Sequence, residues 1–141
     1  MPMIDVYVPT DLLPEGADAQ LGTELTWAVL RAEGVSAPGA FHLDNTAAFV
    51  HRLPATATST GSTTSARGVR VQIVTPPAAL SRDGQRQITA EAADLVKAAV
   101  QQPVKTWVIL TEAAEGGWGI DGTAYGEEEF AALARAASGA T

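Results

Sequence analysis

Residues 2–32 of the chain, PMIDVYVPTDLLPEGADAQLGTELTWAVLRA, can be laid without a gap over residues 69–99, VRVQIVTPPAALSRDGQRQITAEAADLVKAA. The offset between the two stretches is 67 positions, since 69 − 2 = 67. Identical residues are few, but apolar side chains recur at matching places; Ile4, for example, lies over Val71. Self-similarity at a fixed offset indicates two copies of one supersecondary unit. The chain is therefore predicted to be built from two similar halves.

The opening stretch of each copy predicts a half-buried strand. Alternation with a period of two residues is typical of a strand that buries one face. An apolar face and a mixed face alternate in both copies. In the first copy Ile4, Val6 and Val8 form the apolar face, and Met3, Asp5 and Tyr7 form the mixed face. In the second copy the apolar face holds Val71 and Ile73, and the mixed face holds Arg70 and Gln72.

A helix is predicted to follow the strand in each copy. Pro14 suits the first position of the first helix, and Ser81 is a candidate N-cap for the second. Gly34 and Pro103 mark where the two helices end. Between these limits apolar residues recur at helical spacing, at Leu21, Leu25, Ala28, Val29 and Ala32, and at Ile88, Ala92, Leu95, Val96 and Ala99.

A second strand is predicted in each copy, over Ala47–Leu53 and Thr106–Thr111, where β-branched and aromatic residues are frequent. Right-handed crossover makes the two strands of a β-α-β unit parallel. Two such units side by side predict an α/β fold of β-α-β-β-α-β order, with a four-stranded sheet that carries both helices on one face. The other face, with residues such as Asp5 and Arg70, is too polar for the core of a monomer. Oligomerisation across that face is therefore expected.

The whole chain, residues 1–141, is expected to form a single domain. Its two β-α-β repeats span residues 2–54 and 69–122. Residues 55–65, ATATSTGSTTS, are interpreted as a solvated connector between the repeats. A short helix near 127–137 is expected in the tail.

Charge and composition exclude several classes of function. The formal net charge is −7, which disfavours binding to nucleic-acid phosphates. The chain has no cysteine, so disulfides, thiol nucleophiles and thiolate metal sites are excluded. His42 and His51 are too few and wrongly spaced for a metal site, and the sequence contains no cofactor motif. The amino-terminal residues show no signal-peptide or membrane-span pattern, so a cytoplasmic protein without membrane partners is expected.

Residues 111–122, TEAAEGGWGIDG, resemble the end of 4-oxalocrotonate tautomerase, where a strand ending in Thr-Glu leads to a Gly-aromatic-Gly-Ile hairpin. Met1 and Pro2 ahead of an alternating strand, together with the duplication, resemble the fused, double-length members of the tautomerase superfamily. The resemblance implies a β-α-β-β-α-β fold, a homotrimer and a catalytic amino-terminal proline. Val69 occupies the matching place in the second copy and has no free amine, so one working site per chain is expected.

Pro2 is the predicted catalytic residue. Initiator methionine is commonly removed ahead of a small residue, and its removal here would leave a secondary amine at Pro2. The α-amino group has an ordinary pKa of about 7.7–8.0, and burial favours its neutral form. A neutral amine takes a proton from carbon and returns it elsewhere, as in keto–enol tautomerisation. With Met1 attached, the Pro2 nitrogen is a tertiary amide and cannot act as a base.

Two arginines are candidates for binding a substrate anion. Antiparallel pairing of the two opening strands places Pro2 near residues 75–77 and near the start of the second helix, which brings Arg82. Arg70 lies far from Pro2 in the same chain, so a neighbouring chain would have to deliver it. Arg52 and Arg67 are interpreted as solvated surface charges.

The remaining candidates are aromatic or acidic. The resemblance implies that Trp118, in the hairpin, and Trp107, in the last long strand, line the pocket. Asp44 is a candidate for a carboxylate that activates water. The arginines with which the tautomerase named above holds its diacid are replaced here, with leucine at the helix starts, Leu13 and Leu80. A dicarboxylate substrate is therefore not expected.

Three functions are left open. The leading hypothesis is a tautomerase that acts, without a cofactor, on a small carbonyl or enol compound, for example an aromatic one such as phenylenolpyruvate. An alternative is a hydratase, decarboxylase or dehalogenase of a three-carbon acid, in which a charged Pro2 amine acts as an acid. The third is a non-catalytic trimer that serves as a binding module. A retained Met1 would favour this third function.

Overall fold

A computed structural model describes residues 1–139 of the chain. The long elements follow the predicted β-α-β-β-α-β order, and short elements join them. In chain order the elements are β1 Met3–Pro9, α1 Asp18–Ala32, α2 Ala40–Asp44, β2 Ala47–Leu53, β3 Gly68–Thr75, α3 Arg82–Val100, β4 Lys105–Glu112, β5 Trp118–Ile120, β6 Thr123–Tyr125 and α4 Glu127–Gly139.

The four long strands form one sheet in the order β2-β1-β3-β4. Strand β1 runs parallel to β2, and β3 runs parallel to β4, so each half is a β-α-β unit. The two units meet where β1 pairs with β3 in antiparallel fashion, with Val6 opposite Val71. The predicted fold class is confirmed.

The core lies between the sheet and the two long helices. Alternate side chains of β1 and β3 are fully buried there, as the period-two pattern predicted, and α1 packs against α3. A side chain at Gly84 would run into the backbone oxygen of Ala32, so the end of α1 and the start of α3 approach closely. The largest fully buried side chains are Ile4, Leu21, Leu25, Leu30, Ile73 and Ile88.

The two long helices begin in different ways. Ser81 caps α3, because its hydroxyl oxygen accepts a hydrogen bond of 3.1 Å from the Gly84 amide. The prediction that α1 begins at Pro14 is wrong, since the helix starts at Asp18 and no side chain caps it. The guanidinium of Arg52 holds this helix start instead: it donates to the Asp18 carboxylate and to the carbonyl of Pro14. Arg52 is therefore not a solvated surface charge.

The sheet face opposite the helices carries large apolar side chains in contact with solvent. Phe49 on β2 is 53% exposed and Ile109 on β4 is 43% exposed. Polar contacts run between them, including a 2.7 Å contact of His51 Nε2 with the Asp5 carboxylate. No helix within residues 1–139 combines the length and the apolar character needed to cross a membrane.

Candidate active site

Pro2 lies at the buried beginning of a central strand. The antiparallel register pairs Met3 with Val74, so the next step toward the chain start places Pro2 opposite Thr75. The Pro2 carbonyl accepts a hydrogen bond of 3.3 Å from the Ala47 amide, which continues the pairing of β1 with β2. The structure thus places Pro2 beside the end of β3, as the strand pattern predicted.

A pocket of about 470 Å³ opens next to this position, and Met1 forms part of its wall. The wall is drawn from both halves and from the tail: α2, the loop after β3, the loop after β4 and the start of α4. The other lining residues are His42, Pro76, Pro77, Ala78, Glu115, Glu127 and Phe130. Among these residues the formal charges are acidic, and none is an arginine or a lysine.

The tail is fixed against this pocket by hydrogen bonds at the start of α4. The Glu115 carboxylate accepts from the Glu127 amide, and the Glu129 carboxylate accepts from the Gly126 amide at 2.8 Å. These contacts satisfy amides that have no partner inside the helix. The backbone amides of Gly126 and Glu129 hold the pKa of the Glu129 carboxyl below its usual range.

Aromatic side chains tie the same tail to α2. The Tyr125 ring lies 6.2 Å from the Phe41 ring and 5.5 Å from the Phe130 ring, measured between centroids. Aromatic pairs at these separations add packing energy beyond their buried area. Phe130 on α4 lines the pocket, and the Tyr125 ring on β6 links it to Phe41 on α2.

The terminal amine of Met1 is buried and paired with Glu33. The amine nitrogen lies 3.2 Å from Glu33 Oε2, and the two side chains are only 5% and 4% exposed. Burial raises the pKa of the Glu33 carboxyl, although the neighbouring ammonium group opposes this. The second carboxylate oxygen, Oε1, is buried and has no hydrogen-bond partner among the described residues.

His42 lines the same pocket as Met1. Burial, helped by the positive charge of the terminal amine, lowers the pKa of His42 below its usual value. The imidazole therefore favours its neutral form, and a neutral imidazole both donates and accepts hydrogen bonds. No group of three or more histidine, aspartate or glutamate side chains within residues 1–139 is arranged to hold a metal ion.

Trp118 lies in the tail hairpin, as the resemblance implied. It stands opposite Tyr125 in the β5–β6 pair and is 6% exposed. It is not among the residues that line the pocket beside Met1. Its indole nitrogen Nε1 is buried without a hydrogen-bond partner among residues 1–139, which is unusual for a buried tryptophan.

Trp107 and Arg70 lie at the opposite end of the sheet from Pro2. They are paired with each other, and Arg70 is also paired with Tyr7, five residues beyond Pro2. At about 3.3 Å per residue, this separation along the strand is about 16 Å. Together with Tyr7 and Gly68 they line a second pocket of about 360 Å³. A single chain thus does not bring either residue to Pro2, and delivery by a neighbouring chain stays a prediction.

Arg82 and Asp44 also lie outside the Met1 pocket. Arg82 lines a shallow groove between α3 and β4, together with Val108 and Leu110. Asp44 is the last residue of α2 and is exposed.

The sequence interpretation missed the acidic and imidazole side chains around the terminal amine, namely Glu33, His42 and Glu115. Glu33 comes directly before Gly34 at a helix end, a place where an exposed glutamate is ordinary. One signal was available: continued by one residue, the offset of 67 sets Glu33 over Val100, an apolar residue. An apolar counterpart marks the position as buried.

No protein-family model matches the chain, and no curated protein matches it. Several solved structures share its fold. A fused 4-OT described as a wild-type symmetric trimer is 16% identical, with a TM-score of 0.74, over 92% of this chain and 98% of that one. A macrophage migration inhibitory factor-like protein from Entamoeba histolytica is 14% identical, with a TM-score of 0.69, over 88% and 98%.

A third neighbour, N1 of the cis-3-chloroacrylic acid dehalogenase family, is 16% identical, with a TM-score of 0.68, over 94% of this chain and 90% of that one. At these identities the likeness concerns the fold. The chain has the fold of fused 4-OT proteins, and the resemblance seen in its sequence is confirmed at that level.

Proposed function

We propose that the chain is a tautomerase-type isomerase, in which Met1 is removed and the freed Pro2 amine moves a proton on a small carbonyl or enol compound. The observation that supports this most directly is the place of Pro2. It stands at the buried start of β1, directly behind Met1, and Met1 is part of a pocket wall. Removal of Met1 would enlarge the pocket and put the Pro2 nitrogen at its floor.

The chemistry follows from the amine and its surroundings. An α-amino group with an ordinary pKa of about 7.7–8.0 is neutral more often when it is buried. A neutral Pro2 nitrogen would take a proton from the carbon next to a carbonyl, and the resulting ammonium would return it to the other end of the enolate. The reaction needs no cofactor.

The charge of the pocket wall indicates the substrate class. Glu115 and Glu127 are acidic, and the lining residues from residues 1–139 include no arginine or lysine. A dicarboxylate would meet repulsion from these carboxylates, and within residues 1–139 of one chain no arginine or lysine of the pocket wall compensates it. Phe130 and the two prolines offer apolar surface, so the favoured substrate is an aromatic enol or ketone that is uncharged or carries a single carboxylate.

We also propose that three chains assemble through the open face of the sheet. Phe49 and Ile109 are exposed there, and large exposed apolar residues on one face indicate an interface. The neighbour of fused 4-OT type is described as a trimer. In a trimer, Trp107 and Arg70 of one chain would lie on a face that reaches its neighbour. Sedimentation should show a trimer for the wild type and a monomer for Phe49→Asp; an unchanged trimer would contradict the use of this face.

A hydratase, decarboxylase or dehalogenase of a three-carbon acid is the second candidate function. One observation favours it: Glu115 places a carboxylate in the pocket, and these reactions need one to activate water. Glu115 also holds the start of α4 through the Glu127 amide, which is a sufficient structural reason for its position. The second candidate additionally needs a cation for the acid, which a neighbouring chain would have to supply.

The experiment begins with intact-mass analysis to establish that the protein starts at Pro2. Such protein is then tested against a panel of aromatic enols, phenylenolpyruvate, a diacid and three-carbon acrylates. Tautomerisation is expected for the aromatic enols and is expected to fall by about 100-fold or more in Pro2→Ala. Arg67→Ala is the control, since Arg67 makes an exposed ion pair with Asp11 away from the pocket.

Two results would redirect the interpretation. Turnover of acrylates without turnover of enols would favour the second candidate function. A retained Met1, with no turnover of any compound, would favour the non-catalytic binding module.

A further inference from the structure

Glu33 is a buried carboxylate, and its partner among residues 1–139 is the terminal amine. Its side chain is 4% exposed and its Oε2 lies 3.2 Å from the Met1 nitrogen. Its Oε1 is buried and has no hydrogen-bond partner in the part of the chain that the structure describes. Burying a carboxylate costs free energy unless a charge and hydrogen bonds compensate it. Packing alone therefore gives no reason for a carboxylate to be buried at this place, beside the terminal amine.

The duplicated half provides an internal comparison. The offset of 67 sets Glu33 over Val100, which is 4% exposed. The backbone confirms the alignment at this point, because the next residues, Gly34 and Gln101, both have a positive φ. The same buried place therefore holds valine in the half that has no terminal amine and glutamate in the half that has one.

We propose that Glu33 is the counter-ion of the terminal amine and, once Met1 is removed, the positioning residue that holds the Pro2 amine and stabilises its protonated form. This inference rests on the proposed function for the identity of the amine. The Pro2 nitrogen lies one residue from the Met1 nitrogen, and one residue spans at most about 3.8 Å. The Pro2 nitrogen therefore lies at most about 7 Å from Glu33 Oε2, and a change of the Glu33 side-chain rotamer would have to close this gap.

The charge of Glu33 would act on the step in which Pro2 takes a proton. A carboxylate near the amine favours its ammonium form, whereas burial disfavours that form. Other titratable groups face the amine: His42 from α2, Glu115 from the loop after β4 and Glu127 from α4. Among the titratable side chains of residues 1–139, Glu33 is the one that forms an ion pair with the amine. On α1 itself, Arg31 is paired with Glu91 on α3.

The test measures the titration of the Pro2 amine in Met1-free protein, without any substrate. Trace acetic anhydride labels neutral amines only. The labelling of the amino-terminal peptide as a function of pH therefore gives the titration midpoint of the amine, which is the pH at which half of the Pro2 amine is protonated. Glu33→Gln keeps the size of the side chain and removes its charge. The midpoint is expected to move to lower pH by about one unit or more. Glu24→Gln, on the same helix and bonded to Gln20, is the matched control and should not move it.

A second measurement uses the wild-type protein and therefore does not depend on how the variant folds. The carboxyl carbon of Glu33 is followed by ¹³C NMR before and after complete acetylation of the Pro2 amine. Loss of the neighbouring positive charge should raise the midpoint of Glu33 by about one unit or more, because coupling between two titrating groups is reciprocal.

Each result has a definite meaning. An amine midpoint that is the same in Glu33→Gln and the wild type, or a Glu33 midpoint that does not respond to acetylation, overturns the inference. Both measurements are made without turnover, so a protein with coupled midpoints but no activity would reject the proposed function and keep the inference. An active protein in which the two midpoints are not coupled would reject the inference and keep the proposed function.

Discussion

Pro2 and Val69 occupy equivalent places at the start of the two central strands, but their surroundings differ. Ahead of Pro2 stands Met1, which lines a pocket and carries an amine paired with Glu33. Ahead of Val69 stands Gly68, where any side chain would run into the Trp107 ring. One end of the sheet is thus closed by Met1, the residue that the proposed function requires to be removed. At the other end a tryptophan that belongs to the fold occupies this space.

The helix termini continue the contrast. The first half keeps a buried carboxylate at Glu33 where the second has Val100. The first half also holds the start of its helix by Arg52, whereas the second uses the Ser81 cap. The duplicated backbone is a shared scaffold, and the proposed chemistry depends on positions where the copies differ, such as Pro2 and Glu33. Exchanges between the copies are therefore the sharpest tests.

The largest effect is expected from Val100→Glu, which gives the second half the carboxylate without the amine. An uncompensated buried charge costs about 3–5 kcal/mol in the free energy of unfolding. Burial would raise the pKa of this carboxyl, so its cost is complete above the raised pKa, shrinks below it, and disappears once pH falls below the ordinary glutamate pKa. Urea denaturation at neutral and acidic pH measures both effects. Val100→Gln should lose less free energy of unfolding, and its loss should not change between neutral and acidic pH. Equal losses for the two variants at neutral pH would show that the buried charge is not the cause.

The next effect tests the difference between Pro2 and Val69 directly. Adding Gly-Ser ahead of Met1 makes the Pro2 nitrogen a permanent amide, like that of Val69. Proton-transfer catalysis contributes about 100-fold or more, or about 2.7 kcal/mol of activation free energy, so a loss of this size in the tautomerisation rate is expected. The same dipeptide inserted after Gly61, in the exposed connector, is the control. Full activity in the extended protein would exclude Pro2 as the base.

The fold was largely predictable because it depends on local apolar patterns. Alternation at Ile4, Val6 and Val8 identified a strand with one buried face, and the structure buries all three. The bounds Ala47–Leu53 of β2 agree with the predicted strand. The first helix was misplaced because Pro14 suits a helix start in isolation, whereas the long-range contact of Arg52 with Asp18 sets the start. Such a contact leaves no local pattern in the sequence.

The site was only partly predictable, for a related reason. Strand pairing alone placed Pro2 beside the end of β3, and this placement holds. The acidic groups around the amine come from α1, from the loop after β4 and from α4, and their convergence depends on tertiary packing. Trp107 was assigned to the pocket by resemblance and Arg70 by delivery from a neighbouring chain, and a single chain holds both at the other end of the sheet. Their role depends on assembly.

A smaller effect is expected from Arg52→Ala, which removes the device that holds the start of α1. The guanidinium makes hydrogen bonds of 2.6 and 2.9 Å to Asp18 and of 2.7 Å to the Leu13 carbonyl. Hydrogen bonds to charged groups contribute about 1.5–3 kcal/mol, so a loss of about 2 kcal/mol is expected by urea denaturation.

The pH dependence of this loss has a definite sign. Arg52 holds the pKa of the Asp18 carboxyl below its usual range. The stabilisation is therefore present above the usual aspartate pKa and is lost as pH falls through the lowered value in the folded protein. The difference between the wild type and Arg52→Ala should shrink in acid. Ser81→Ala, which removes the cap of α3, should cost about 1 kcal/mol at every pH. A loss for Arg52→Ala that stays constant in acid would show that Asp18 is not its partner.

The smallest effect concerns the residues that end the two helices. Gln101 has a φ of 58° where its counterpart Gly34 has a φ of 82°. A left-handed conformation costs a residue with a side chain about 1–2 kcal/mol, and glycine adopts it freely but loses about 0.5–1 kcal/mol through its greater freedom when unfolded. Gln101→Gly is therefore expected to stabilise the protein by a few tenths of a kcal/mol to about 1 kcal/mol.

Gly34→Ala should destabilise it by a similar amount, since an added side chain there meets no neighbour within 4 Å and only the backbone is strained. Thermal unfolding of both variants measures the two shifts. Shifts of the same sign would mean that the two helix ends are not equivalent.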